Sequence, residues 1–136
     1  MRLIHITDND LERLRELIHV GRHCGELDQT GLKGLEDELE QASVVPCQAV
    51  RQDVVTMHSQ ARIQNLESGE EMVFTLVYPR AADLEQGKIS VLSPLGTAIL
   101  GYQAGDIIHW RVPDGVRRLK IVQVEYQPEA AGDFHL

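Results

Sequence analysis

Hydrophobic residues follow two different periods along this chain. Up to about residue 45 they recur every three or four positions, in two sets: Leu11, Leu14, Ile18; then Leu32, Leu35, Leu39, Ala42. Such spacing is typical of amphipathic helices that bury one stripe. The capping residues at positions 7–10 mark the start of the first helix, which we expect to end near Gly21. We predict an antiparallel α-helical hairpin, a short coiled coil, joined through residues 21–30.

From residue 53 the period changes to two. Apolar and small side chains alternate with polar ones over residues 53–64, which predicts a strand with Val55 and Met57 on the buried face and Thr56 on the polar face. A second strand follows the turn at Gly69, with four residues inward: Met72, Phe74, Leu76 and Tyr78.

Pro46 ends the helical part, because proline disfavours helical geometry in the residue before it. We therefore predict two domains, residues 1–47 and 48–136.

The stretch from residue 89 to 112 reads as strand, short helix and strand. The β-branched run Ile89, Val91 and Leu92 precedes Ser93-Pro94, a serine cap followed by a proline at the first helical position. The apolar helix over residues 95–100 must be buried. Asp114-Gly115 then predicts a hairpin into residues 117–126, where the apolar residues change from odd to even positions, which indicates a bulge or a swap of the buried face. The fold class is α+β, an antiparallel sheet around one short helix.

Composition narrows the classes of function. The chain has 136 residues and a net charge of −8, which argues against direct nucleic-acid binding, since phosphate affinity comes mainly from Lys and Arg. No segment has the apolar core of a signal peptide or the length to span a membrane. We expect a cytoplasmic protein.

The sequence offers two candidate sites, a metal site on the first helix and a serine nucleophile. His19 and His23 are spaced to share a metal ion on one helix face, with Cys24 following, but a fourth ligand is not evident, so we expect no metal and no cofactor. Ser93 lacks the Gly-x-Ser-x-Gly context of a hydrolase nucleophile and is better explained as a helix cap.

One motif carries a resemblance to a known family. It is Ile89-Ser90-Val91-x-Ser93-Pro94-Leu95-Gly96-x-Ala98-x-Leu100-Gly101, followed by Gly105-Asp106. This block resembles the C-terminal domain of the bacterial Gre transcript-cleavage factors. The ending Glu125-Tyr126-Gln127-Pro128-Glu129 resembles that of the Rnk group, which are short Gre-like proteins.

The resemblance implies an FKBP-like fold behind the hairpin and RNA polymerase as partner. It places Leu92, Ser93 and Pro94 at a docking surface near the polymerase secondary channel. Position 92 is usually polar in Gre factors, so Leu92 departs from the pattern and could reshape the contact or pack inside.

The hairpin departs further from Gre factors. Their long coiled coil ends in an Asp-x-x-Glu pair that helps to hold catalytic Mg²⁺, whereas the tip here is short and has only Glu26 and Asp28. We expect that Glu26 and Asp28 can contact the secondary channel of the polymerase but do not help to hold Mg²⁺. The chain is thus expected to be a monomeric, non-enzymatic regulator that competes with Gre factors without stimulating transcript cleavage.

Two alternatives stay open. An FKBP-like prolyl isomerase or chaperone would use an aromatic pocket around Trp110 and Tyr126. A self-associating scaffold would pair the seam of Leu32, Leu35 and Leu39 between chains.

Overall fold

The computed structural model describes residues 4–24, 29–112 and 115–132. Seven strands and four helices follow in chain order: β1 (His5–Thr7), α1 (Asp8–Cys24), α2 (Gln29–Gln41), β2 (Ser43–Val45), β3 (Gln60–Asn65), β4 (Glu71–Val77), β5 (Lys88–Ser90), α3 (Pro94–Ile99), β6 (Ile107–Val112), β7 (Gly115–Tyr126) and α4 (Pro128–Ala131). Two 3₁₀ turns, Pro79–Ala81 and Leu84–Gln86, separate β4 from β5. The predicted α+β class is confirmed.

The two N-terminal helices form where the hydrophobic period predicted them. α1 begins after Thr7, whose Oγ1 accepts a hydrogen bond from the Asp10 N–H at 3.1 Å and so caps the first turn. α1 continues three residues past the predicted end at Gly21, to Cys24. The apolar stripes of both helices are buried, at Leu11, Leu14, Ile18, Leu32, Leu35 and Leu39. Supercoiling of this hairpin stays a prediction.

The two ends of the hairpin are joined by a small parallel sheet, which the sequence did not predict. β1 precedes α1 and β2 follows α2, and the two strands pair with His5 opposite Ser43. Ile4 and Ile6 are buried beneath them. The two ends of the hairpin are therefore held together by backbone hydrogen bonds.

The main sheet has the order β5-β4-β3-β7-β6. The pairs β3–β4, β3–β7 and β6–β7 are antiparallel, but β4–β5 is parallel, so the prediction of a purely antiparallel sheet is wrong. The reason lies in residues 78–87, which cross back along β4 before β5 begins. The predicted β6–β7 hairpin is confirmed, with Pro113 and Asp114 outside the described residues. An FKBP-like wrapping of this sheet stays a prediction.

The predicted bulge in the last strand is also confirmed. The register between β3 and β7 shifts between Arg62 and Ile63, opposite Gln123 and Ile121, which leaves Val122 as the extra residue. A second shift lies between Gln60 and Ala61. The shift at Val122 carries the buried face from Leu119 and Ile121 to the partly buried Val124.

The strand predicted from residue 53 begins only at Gln60. Residues 51–59, called the connector below, form turns instead, and His58 has a positive φ of 67°. Thr56 is buried, which contradicts its predicted place on the polar face. The Thr56 N–H donates to Ser59 Oγ at 2.9 Å, and this local bond holds a turn that a straight strand could not make.

One hydrophobic core connects the helical and the sheet parts of the chain. Gly101 lies at their contact, where its N–H donates to Val55 O at 2.9 Å and its C=O accepts from His5 N–H at 3.1 Å. Its φ is +82°, and a Cβ there would lie 2.8 Å from Ile4 Cβ, so this approach requires glycine. The domain division at residue 47 stays a prediction.

Candidate functional site

Residues 90–97, called the α3 loop below, fold through their own hydroxyl groups. Ser90 Oγ accepts from the Leu92 N–H at 3.0 Å. Ser93 Oγ donates to Ser90 O at 2.6 Å and accepts from the Gly96 N–H at 3.0 Å, which caps α3. Thr97 Oγ1 donates to Val91 O at 2.7 Å. The predicted serine cap and the predicted proline at the first helical position are both confirmed.

Close packing makes this loop stiff. Gly96 lies against the backbone of Ser90, where a Cβ would come within 2.0 Å of Ser90 O. The Val91 N–H donates to Val77 O at 2.9 Å and fastens the loop to the end of β4. Val91 and Leu92, predicted as strand, belong to this turn because β5 ends at Ser90.

The three predicted docking residues have different exposures. Leu92 is 7% exposed and packs in the core, which agrees with the second of the two roles that the sequence left open for it. Ser93 is half-buried and Pro94 is exposed. The Ser93 hydroxyl accepts from the Gly96 N–H, as a helix cap does, and donates to a backbone carbonyl, whereas the hydroxyl of an activated nucleophile donates to a base.

The other predicted sites fall wholly or partly outside the described residues. Glu26 and Asp28, between α1 and α2, lie outside the described residues, and so do the side chains of His23 and Cys24. His19 is exposed on α1. The described part of the chain has no group of three or more His, Cys, Asp or Glu residues that could hold a metal ion. The zinc alternative is not tested by this result, because the side chains of His23 and Cys24 lie outside the described residues.

A buried polar cluster, called the junction below, joins α1, the connector and the C-terminal turn that contains α4. Asp10 is 2% exposed, and its Oδ2 accepts from the Met57 N–H at 3.0 Å. Thr56 Oγ1 donates to Glu129 Oε1 at 2.7 Å, so Ser59 Oγ donates to Thr56 Oγ1 at 2.8 Å. These bonds tie the start of the hairpin and α4 to one point of the connector.

Gln127 completes this attachment. Its Nε2 donates to Arg51 O at 2.7 Å and to Val54 O at 2.8 Å, and the residue is buried. The five buried polar residues of the described chain are Thr7, Asp10, Thr56, Ser59 and Gln127. All of them lie in or beside this junction.

Charge in the junction is controlled by burial. Burial raises the pKa of Asp10 to about 6, with a smaller raising effect from Glu129 and opposing effects from the Met57 hydrogen bond and Arg13. Burial also raises the pKa of Tyr78 to about 12 and lowers the pKa of His58. The rings of these last two residues lie 5.5 Å apart between centroids.

Sequence reasoning did not find this junction. The Thr7-x-x-Asp10 pattern was a signal for the start of α1, but the Asp10 carboxylate turns to the connector, where it meets Met57. Nothing in the spacing of Thr56 and Glu129, 73 positions apart, indicates that they meet.

Two family models match this chain. The model described as "Rnk N-terminus" covers residues 2–45, and "Transcription elongation factor, GreA/GreB, C-term" covers residues 50–126, more than half of the chain. The chain belongs to the GreA/GreB family. Within it, the match to the N-terminal model identifies the Rnk group.

Similar proteins agree with this assignment. The regulator of nucleoside diphosphate kinase of Escherichia coli K12 is 40% identical to this Rnk-group chain over 134 residues, which is 98% of the chain and 96% of that protein. The transcription elongation factor GreA of Acetivibrio thermocellus is 38% identical over 90 residues, 66% of this chain and 57% of that protein.

Solved structures give the same fold. A GreA/GreB transcription elongation factor from Nitrosomonas europaea has 41% identity and a TM-score of 0.74, covering 93% of this Rnk-group chain and 100% of that chain. The transcription factor Gfh1, at 24% identity and a TM-score of 0.51, covers 92% of this chain and 99% of its own and shows the fold alone.

The described residues do not support the two remaining alternatives, the self-associating scaffold and the prolyl isomerase. Leu32, Leu35 and Leu39 are buried within one chain, so the predicted intermolecular seam is wrong. An isomerase pocket gains no support: the groove of about 640 Å³ beside β7 is lined by no Trp, Tyr or Phe, and the Trp110 side chain lies outside the described residues. No described helix is long and apolar enough to cross a membrane.

Proposed function

We propose that this protein is a non-catalytic regulator of transcription elongation that binds RNA polymerase near its secondary channel. In this role it competes with Gre factors and does not stimulate transcript cleavage. The observation that carries the proposal is the α3 loop, which lies inside the matched Gre-type region and presents Pro94 on a prefolded turn.

Prefolding favours binding. The hydroxyls of Ser90, Ser93 and Thr97 are all used inside the loop, and proline at position 94 restricts the backbone further. A loop that is already ordered loses little conformational entropy when it docks. The exposed proline is then the natural first contact for a protein partner.

The short hairpin supports the absence of cleavage activity. α1 has 17 residues, which at about 1.5 Å per residue gives roughly 25 Å of reach. Four residues separate α1 from α2, and they include Glu26 and Asp28 without the Asp-x-x-Glu pair of Gre factors. We therefore propose that the hairpin obstructs or contacts the channel and does not deliver a catalytic pair of carboxylates.

The name of the Escherichia coli relative connects that protein to nucleoside diphosphate kinase. We propose that any such effect here acts through transcription. We further propose that the protein is cytoplasmic, acts as a monomer and reaches nucleic acid only through the polymerase.

The test is binding to purified core RNA polymerase in the presence and absence of a Gre factor. Binding should be displaced by the Gre factor and weakened by Pro94→Ala, while the control Pro46→Ala, at an exposed proline after β2, should bind normally. A transcript-cleavage assay on backtracked complexes should show no stimulation. Lack of binding by the unaltered protein, or active cleavage, would contradict the proposal.

A further inference from the structure

Leu84 has the most exposed large hydrophobic side chain among the described residues. Its side chain is 80% exposed, whereas the next, Val116, is 53% exposed. Single exposed leucines are common on protein surfaces and need no explanation when they lie on a loose loop. The loop that carries Leu84 is not loose.

Residues 83–87, called the Leu84 loop below, are held by backbone bonds at both ends. The backbones of Asp83 and Lys88 exchange two hydrogen bonds of 2.9 Å, and Asp83 Oδ1 accepts from the Glu85 N–H at 3.1 Å. The Gly87 N–H donates to Leu84 O at 3.1 Å, which closes the 3₁₀ turn. The backbone that carries the Leu84 side chain is therefore held in one conformation.

A second set of contacts fastens this loop to the sheet. Gly87 adopts a left-handed conformation, with φ of +72°, and its C=O accepts from the Thr75 N–H at 2.7 Å. A Cβ at Gly87 would lie 3.0 Å from Val73 O. The loop thus moves with β4, the neighbour of β5.

The Leu84 loop and the α3 loop lie at the same edge of the main sheet. β5 is the edge strand, and the Leu84 loop leads into its first residue, Lys88, while the α3 loop begins at its last, Ser90. Three strand residues span about 10 Å. A partner contact of ordinary size, about 800 Å² on each side, can cover both ends of such a strand.

We propose that Leu84 is a second anchor of the polymerase-docking surface. Leu84 inserts into an apolar pocket of its own, on the same polymerase surface that contacts Pro94. The residues on either side of Leu84 are acidic, Asp83 and Glu85, so the rim of that pocket is basic. Arg80 and Lys88 are the nearest cations in the sequence and lie outside this acidic pair. The inference rests on the proposed function, because it assumes that polymerase is the partner.

The experiment measures the affinity of full-length variants for core RNA polymerase. Leu84→Ser should raise the Kd about tenfold or more, as expected for an apolar anchor, and Leu84→Met should restore most of the binding. The matched control is Val116→Ser, which removes an exposed apolar side chain from β7, near the β6 edge of the sheet. Its Kd should stay within about twofold of the original value.

The basic rim has its own test. Glu85→Lys should weaken binding, and the loss should shrink as salt is raised, because screening reduces the new repulsion. Unchanged affinity for this variant would overturn the basic rim.

The outcomes separate the two proposals. If the original protein binds and Pro94→Ala weakens it, but Leu84→Ser binds normally, Leu84 is not an anchor and the proposed function stands. If the original protein does not bind polymerase, both proposals fail. Equal thermal unfolding of Leu84→Ser and Val116→Ser is expected, since neither side chain is buried, and excludes misfolding as the cause.

Discussion

The α3 loop and the connector are stabilised in opposite ways. In the α3 loop the described side-chain hydrogen bonds join residues two to six positions apart. In the connector, bonds reach residues 47, 73 and 76 positions away, in α1 and in the C-terminal turn. The side-chain bonds of the α3 loop are thus local, although its backbone is also fastened to Val77 O, whereas the connector is held by side chains from two distant parts of the chain.

This difference suggests a division of labour. The α3 loop shapes the turn that presents Pro94 mainly through its own hydroxyl groups, in addition to the Val91 N–H bond to Val77 O. The connector instead fixes where the helical hairpin lies against the sheet, because its long-range bonds join defined atoms of α1, the connector and the C-terminal turn. Docking and hairpin placement are therefore supported by separate sets of interactions.

The same difference explains what the sequence could predict. Ser93 before Pro94 is a local capping signal, and both residues lie where the pattern placed them. The connector shows an alternating pattern that favours a strand, but the partners that turn it inward, Asp10 and Glu129, are distant in sequence. The burial of Leu92 depends on the distant core, so the motif alone could not predict it.

The largest expected effect is that of Gly96→Ala in the α3 loop. The new Cβ would lie 2.0 Å from Ser90 O and 2.9 Å from Ser90 C, and these backbone atoms cannot move aside as the end of a flexible side chain would. We expect a loss of about 3 kcal/mol or more in the free energy of unfolding, measured by urea denaturation. The control is Gly34→Ala in α2, where no atom lies within 4 Å of the new Cβ, and it should stabilise by up to about 1 kcal/mol. Similar losses for the two variants would contradict the close packing of this loop.

The next largest effect is a change of folding stability with pH, which the buried carboxyl of Asp10 causes in the connector. The unfolded chain releases this proton near the ordinary value of 3.8, and the folded chain only near 6. The folded state binds more protons between these values, so the contribution of Asp10 to stability falls as pH rises from about 4 to about 6, by up to about 3 kcal/mol. Asp10→Asn keeps an acceptor for the Met57 N–H and removes the charge.

Urea denaturation between pH 4 and 8 checks this prediction. Relative to the original protein, Asp10→Asn should gain stability as pH rises through this window and hold that gain above it. Asp8→Asn, at an exposed position of the same helix, controls for general loss of charge. A constant difference between the original protein and Asp10→Asn across the range would show that Asp10 is ionised normally in the fold.

A smaller effect compares two threonines with different bonding. Thr56→Val removes the donor to Glu129 and the acceptor for Ser59, which leaves the buried Ser59 hydroxyl without that acceptor. Thr97→Val removes one local bond, to Val91 O. We expect losses of about 2 kcal/mol for Thr56→Val and about 1 kcal/mol for Thr97→Val, measured by thermal or urea unfolding. Equal losses would mean that the long-range bonds of the connector add nothing to its stability.

The smallest effect concerns the cap of α3. Ser93→Ala removes the acceptor for the Gly96 N–H and should cost about 1 kcal/mol, whereas Ser93→Asp restores an acceptor at the helix start and should recover most of that loss. Ser93→Asp cannot donate to Ser90 O, so any remaining deficit measures that second bond. Because these bonds are local, the changes should leave the connector intact. Amide hydrogen exchange can check this: the Gly96 N–H should exchange faster in Ser93→Ala, while the Met57 N–H should keep its protection. Faster exchange at Met57 would show that the two regions are coupled after all.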